Sequence, residues 1–110
     1  MLFRSRVHYP GLVSHPHHQR AVTLFDGGFG AMLSVEIDGD AARADALCES
    51  TELWVHTTSL GAVESTIERR SRYTVDAEVC PPSLLRLSVG LEDVDDLWAD
   101  LVGALEATAP

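Results

Sequence analysis

The chain of 110 residues contains no lysine: all eight of its basic residues are arginine. Arginine keeps its proton at physiological pH and forms no imine with an aldehyde or ketone. Chemistry that runs through a lysine imine therefore cannot be completed by this chain alone. Cysteine is almost as scarce. Cys48 and Cys80 stand 32 residues apart without C-x-x-C spacing, which excludes a disulfide framework and a zinc site and leaves two isolated thiols. No stretch approaches the roughly 20 consecutive apolar residues of a membrane-spanning helix. The basic opening Met1-Leu2-Phe3-Arg4-Ser5-Arg6 leads into a turn sequence, where a signal peptide would have an apolar run. Internal repeats, linkers and low-complexity tracts are missing as well. Together these absences predict a soluble, cytoplasmic protein.

Positive charge is in short supply. Seventeen acids against eight bases give a net charge of −9, which repels nucleic acid and anionic membrane. The cluster Arg69, Arg70 and Arg72 is too small to reverse that, so neither surface is expected as a partner. What remains is ordinary globular material. An apolar fraction of 45% is too high for a disordered segment, and the length suits one compact domain with one core.

Val7-His8-Tyr9 reads as a strand running into the turn dipeptide Pro10-Gly11. Ser14 or His15 then caps a helix with Pro16 in its first turn; Val22 and Phe25 give it an apolar side, and Asp26-Gly27-Gly28 ends it. Ala31, Leu33, Val35 and Ile37 alternate with Met32, Ser34 and Glu36, the pattern of a half-buried strand. Asp40 caps a helix to about Glu49. Leu53 to His56 predicts a strand, Thr57 to Gly61 a loop, and Val63 to Arg70 a short helix. Ser71 to Ser83 is irregular, broken at Pro81-Pro82. Leu85, Leu87 and Val89 alternate with Arg86 and Ser88 as a final strand. Gly90 and Asp93 lead into a helix with Val94, Leu97, Trp98, Leu101 and Leu105 at helical spacing, its start crowded by Glu92, Asp93, Asp95 and Asp96. This order predicts a small mixed α/β (α+β) layer domain over residues 1–110, with helices packed on one side of a sheet.

Candidate sites are few. His8, His15, His17 and His18 suggest a metal, but adjacent histidines at a helix start point in different directions, and no carboxylate or cysteine completes the set. Gly27, Gly28 and Gly30 precede a strand, the wrong order for a phosphate cradle, and fit helix termination instead. There is no G-x-S-x-G elbow. Arg86 stands out, because a guanidinium within an otherwise apolar strand is costly unless exposed or paired. It reads equally well as a structural ion pair with Glu36 or Glu64, as exposure at a sheet edge, or as a planar fork that accepts a substrate carboxylate. Ser59, in Thr58-Ser59-Leu60-Gly61, reads as turn chemistry.

Taken together, the segments resemble one enzyme family. Tyr9-Pro10-Gly11-Leu12, Ser14-His15-Pro16 with His18, and Gly28-Phe29-Gly30-Ala31-Met32-Leu33-Ser34 are similar to the small C-terminal domain of the pyridoxal-phosphate (PLP) enzymes of cysteine and methionine metabolism. These include cystathionine γ-synthase, cystathionine γ-lyase and methionine γ-lyase. Ser59-Leu60-Gly61-Ala62-Val63-Glu64-Ser65 and Leu85-Arg86-Leu87-Ser88-Val89-Gly90-Leu91-Glu92-Asp93 carry the strongest likeness, which runs from about Val7 to Leu105. The resemblance implies the small domain of a fold-type I PLP-dependent transferase, with a mixed, mostly antiparallel sheet. It implies that Arg86 binds the α-carboxylate of an amino-acid substrate, that Ser59 lies beside that carboxylate, and that Thr74 lines the same cleft. Thr58 falls at a position that helps set reaction preference. The sequence departs from the family pattern at Ala62, where a second glycine is usual, and at Val75, where a histidine is usual.

The resemblance implies PLP as cofactor, yet the family's catalytic lysine and cofactor-binding residues belong to a larger preceding domain that is absent here. The expected partners are thus a substrate carboxylate and a PLP-binding large domain or intact family member. Such a partner would cover the Arg86 and Ser59 face, which if left bare should show a large apolar patch. The alternative is a non-enzymatic remnant, or a small amino-acid-binding or association domain. The isolated chain is expected to catalyse nothing and to bind no cofactor covalently: mixed with PLP it should show no aldimine absorption beyond a weak signal from its N-terminal amine. A strong aldimine band would contradict this.

Overall fold

The computed structural model describes residues 6–109. Its elements are β1 (Arg6–His8), α1 (His18–Leu24), β2 (Met32–Glu36), α2 (Ala41–Ser50), β3 (Val55–His56), β4 (Thr66–Glu68), α3 (Thr74–Ala77), β5 (Leu84–Ser88) and α4 (Val94–Ala107), with one 3-10 turn at Arg70–Arg72. The strands form a single sheet in the order β1-β2-β5-β4-β3. Every neighbouring pair is antiparallel except β3 and β4.

Alternation along the strands sorts the side chains. Val7, Leu33, Val35, Leu85 and Leu87 share one face; His8, Ser34, Glu36, Arg86 and Ser88 share the other. The apolar face packs against α2 and α4. Ala44, Leu47 and Cys48 of α2 and Leu97, Leu101, Ala104 and Leu105 of α4 close one core with Val35, Ile37, Ile67, Leu85 and Leu87. Both helices start where the sequence predicts. Asp40 accepts from the Arg43 amide at 2.9 Å, and Asp93 accepts from the amides of Asp95 and Asp96 at 2.9 and 3.2 Å. Arg43 then reaches across to the end of α4 and donates to the Leu105 and Thr108 carbonyls at 3.2 and 3.1 Å, a cation at the negative end of the helix dipole. Asp100 accepts from the amides of Glu52, Leu53 and Trp54 at 2.8–3.0 Å, fixing the approach to β3. No helix among the described residues is long and apolar enough to cross a membrane.

Three expectations are corrected. The predicted helix from Val63 to Arg70 is replaced by strand β4, whose Thr66, Ile67 and Glu68 are all buried. With both faces covered, the strand shows none of the alternation that marks a half-buried one. The segment 71–83, expected to be irregular, holds the end of the 3-10 turn and α3. In α1 the buried residue is Ala21, while Val22 and Phe25 are exposed, and the helix begins later than predicted, with His17 as an N-cap that makes no side-chain bond.

An apolar trough of about 660 Å³ opens on the helix-bearing face, between β1–β2 and α4. Trp98 and Val94 of α4 line it and remain 52% and 73% exposed, so the apolar stripe of α4 is wider than the domain buries.

On the polar side, two segments interlock as a seam. Gly61, at φ +75°, donates to Ser88 Oγ at 2.8 Å, and Thr66 Oγ1 donates to the Ser59 carbonyl at 3.0 Å. Ser65 donates its amide and hydroxyl to Glu92 and accepts from the Gly90 amide at 2.7 Å. Gly90 lies so close to the opposing backbone that an added Cβ would meet the Val63 carbonyl oxygen at 2.1 Å. That carbonyl accepts from the Leu91 amide at 2.7 Å. Gly90→Ala is therefore expected to destabilise the fold by about 3 kcal/mol. Gly103→Ala, whose methyl meets nothing within 4 Å in the interior of α4, should stabilise it by about 0.5–1 kcal/mol. Urea unfolding of both variants checks the pair; equal stabilities would contradict the seam.

Candidate functional site

The polar face of the sheet is organised around Glu68. Its side chain is 1% exposed, and the β4–β5 register sets it directly opposite Arg86. A carboxylate so buried is tolerated only if its lone pairs are filled. Oε1 accepts from Arg72 Nη2 at 2.8 Å and from Thr58 Oγ1 at 3.1 Å, and Oε2 accepts from Arg70 Nη1 at 3.1 Å. Arg70 is itself shared with Asp76, at 2.5 Å. Tyr73 joins the group: its hydroxyl lies 3.0 Å from Thr58 Oγ1, and the guanidinium carbons of Arg70 and Arg72 stand 4.6 and 4.9 Å from its ring centre.

Arg86 sits at the edge of this cluster, with its side chain 19% exposed. Its Nη2 donates to the Thr58 carbonyl at 3.2 Å and to the Ser59 carbonyl at 3.5 Å, and lies 3.5 Å from Glu68 Oε2. The partners expected from the sequence, Glu36 and Glu64, are not the ones found. Glu36 is 2.6 Å from His8 Nε2, and Glu64 is exposed. Three guanidinium groups face two carboxylates, Glu68 and Asp76, so the cluster carries one positive charge in excess. Arg86 is the one set farthest from a carboxylate, with its hydrogen bonds to described residues running through Nη2 alone. The rest of the fork can meet an anion.

Ser59 is brought to Arg86 by its backbone, and its exposed hydroxyl bonds to no described residue. Thr74 opens α3, exposed, and makes no hydrogen bond in common with Arg86 or Ser59 among the described residues. Glu68, Arg70, Tyr73 and Asp76 are absent from the sequence reading of the site. The signal that would have found Glu68 is its place opposite Arg86, invisible while residues 63–70 are read as a helix. The histidines are spread over separate tasks: His8 pairs with Glu36, His18 meets the Pro10 carbonyl at 2.7 Å, and His15 accepts from the His17 amide at 3.0 Å. Burial pushes the Cys48 thiol up to about 12, with the Asp45 charge adding to it, so this sulfur is no nucleophile near neutrality.

Such a sheet, with helices packed on its apolar face and a guanidinium cluster on the other, makes a small α/β domain. The chain belongs to the Cys/Met metabolism PLP-dependent enzyme family, whose profile matches residues 4–106. It is 43% identical over 106 residues to a cystathionine γ-synthase of Mycobacterium bovis, covering 92% of this chain and 27% of that protein. With an L-methionine γ-lyase of Brevibacterium aurantiacum it shares 41% identity over 108 residues, covering 94% and 26%. A solved structure, metB from Corynebacterium glutamicum, superposes with a TM-score of 0.84 at 39% identity, over 94% of this chain and 28% of that one. The chain thus spans about a quarter of the length of these relatives. Its residues do not fit the family cofactor by themselves. There is no lysine to take up the PLP aldehyde.

The ionised form of Glu68 is the one the cluster stabilises. Burial works against it, but hydrogen bonds from Arg70 and Thr58, the charge of Arg70 and the hydrogen bond from Arg72 outweigh burial and hold the carboxyl below its usual range. Glu92 is lowered too, by the Ser65 amide and hydroxyl. A depressed folded-state pKa contributes stability that is present above the ordinary glutamate range, about 4.3, and is lost as pH falls through the folded value. The melting midpoint should therefore drop below about pH 4.3, and Glu68→Gln and Glu92→Gln should each flatten part of that acid limb. Thermal melts from pH 7 to 2.5 check this; an acid limb unchanged in both variants would contradict it.

Proposed function

We propose that the chain is the C-terminal, substrate-carboxylate-binding part of a PLP-dependent carbon–sulfur lyase or transferase of sulfur amino-acid metabolism, working in the cytoplasm beside a larger cofactor-bearing domain. The reading rests on one observation. Among the three arginines of the cluster, only Arg86 has no carboxylate within 3.1 Å, and it is the one placed at the open Ser59 loop. A permanently charged planar fork with a free edge suits a carboxylate. Ser59 is available beside it as a hydroxyl donor. Thr74 follows Tyr73, whose hydroxyl meets Thr58, so the start of α3 is held to the same loop.

Support for the larger partner comes from the other face. The trough lined by Val7, Leu33, Leu87, Val94 and Trp98 has no charged residue in its walls, and the relatives carry nearly three-quarters of their length beyond the matched part. Polypeptide from that remainder is the occupant this reading assigns to the trough. Two free thiols suit a reducing compartment.

The amino-acid site is tested on the chain itself by titrating L-cystathionine and following amide and arginine side-chain NMR resonances. A hydrogen-bonded charge of this kind is worth about 1.5–3 kcal/mol, so Arg86→Ala should weaken binding by about 10- to 100-fold while leaving the spectrum folded. An unchanged affinity would overturn the role of Arg86.

A further inference from the structure

We propose that Glu68 is the positioning residue for this site: fixed by Arg70, Arg72 and Thr58, it holds Arg86 and the Ser59 loop in the geometry that receives a carboxylate. The inference rests on the proposed carboxylate-binding role of Arg86.

The geometry shows how one carboxylate can orient a guanidinium without silencing it. Left alone opposite Arg86, Glu68 would form a bidentate pair and use up the fork. Its lone pairs are instead taken by Arg72 at 2.8 Å, Arg70 at 3.1 Å and Thr58 at 3.1 Å. Arg86 Nη2 is left at 3.5 Å, near enough to be attracted and beyond ordinary bonding length. That pull sets Nη2 against the Thr58 and Ser59 carbonyls. The same Glu68 oxygen that accepts from Arg72 also accepts from the Thr58 hydroxyl, so the loop bearing Ser59 and the arginine are referred to one buried point. By filling the lone pairs of Glu68, Arg70 and Arg72 keep the fork of Arg86 open.

This role differs in sign from a purely electrostatic one. Removing the charge of Glu68 makes the cluster more positive, which by Coulomb attraction alone would tighten anion binding. Loss of positioning loosens it. In the full chain, labelled with nitrogen-15, Glu68→Gln should move the Arg86 Nε–Hε resonance without ligand and weaken L-cystathionine binding by about tenfold or more. Should that variant fail to fold, Thr58→Val removes the loop's bond to Glu68 at an exposed position and should produce the same two effects in milder form. Binding as tight as or tighter than wild type, with the Arg86 resonance unmoved, would overturn the proposal. If the unsubstituted chain binds no L-cystathionine, the carboxylate-binding reading fails. The ligand-free resonance then decides this inference by itself: a shift in the variants supports it, and an unmoved signal overturns it.

Discussion

A carboxylate with almost no solvent contact, opposed across two strands by an arginine, is the constraint on which the polar half of the domain depends. Burying Glu68 is costly unless cations surround it, and the chain meets that demand locally. Arg70 and Arg72 follow within four residues on a 3-10 turn, and Asp76 on α3 balances Arg70. The segment between β4 and β5, with its 3-10 turn and α3, is thus shaped by charge more than by apolar packing: its Thr74, Val75 and Val79 are exposed. Buried ionic clusters are weak contributors to stability compared with apolar packing. Their value lies in direction, because each guanidinium can sit in only one place around a carboxylate whose lone pairs are filled.

The residues that carry the family likeness divide into two kinds. Most serve geometry. Gly90 clears the Val63–Glu64 backbone, Gly61 turns the loop and bonds Ser88, and Ser65 and Glu92 hold the seam shut. Tyr9, His18 and Phe29 pack edge to face or tilted near the first turn, with Tyr9 donating to the Gly30 carbonyl at 2.9 Å. Arg86 is of the other kind. It lies 3.5 Å from the buried Glu68 carboxylate and donates to two carbonyls, so its place on β5 is set by charge and not by apolar packing.

How legible each part was follows from how local its cause is. β2, β5, α2 and α4 were readable because alternation, helical spacing and the caps Asp40 and Asp93 lie within a few residues of one another. The β4 strand was not, because burial on both faces erases its period and a glutamate mimics an exposed position. Arg86 was recognisable as unusual, yet its partners depend on which strands become neighbours, and Glu36 was already taken by His8. In α4, Val94 and Trp98 share the helical spacing of Leu97 and Leu101, yet they stay 73% and 52% exposed while the two leucines are buried. Only the third dimension shows that the stripe serves two surfaces.

The absence of lysine takes on a sharper meaning beside this site. Recognition of a carboxylate asks for a cation that never loses its proton and presents a rigid fork; formation of an imine asks for an amine that must lose its proton to react. One side chain cannot be best at both. A chain with eight arginines and no lysine offers the first kind of cation and not the second. On the proposed reading, the quarter of the relatives' length that this chain matches supplies charge and shape for the substrate, and the reacting amine lies in the remaining three-quarters. The two tasks must meet at the Arg86–Ser59 edge. There Arg86 is engaged through Nη2 alone and the loop hydroxyl bonds to no described residue, while the bonds of the seam behind hold both in register.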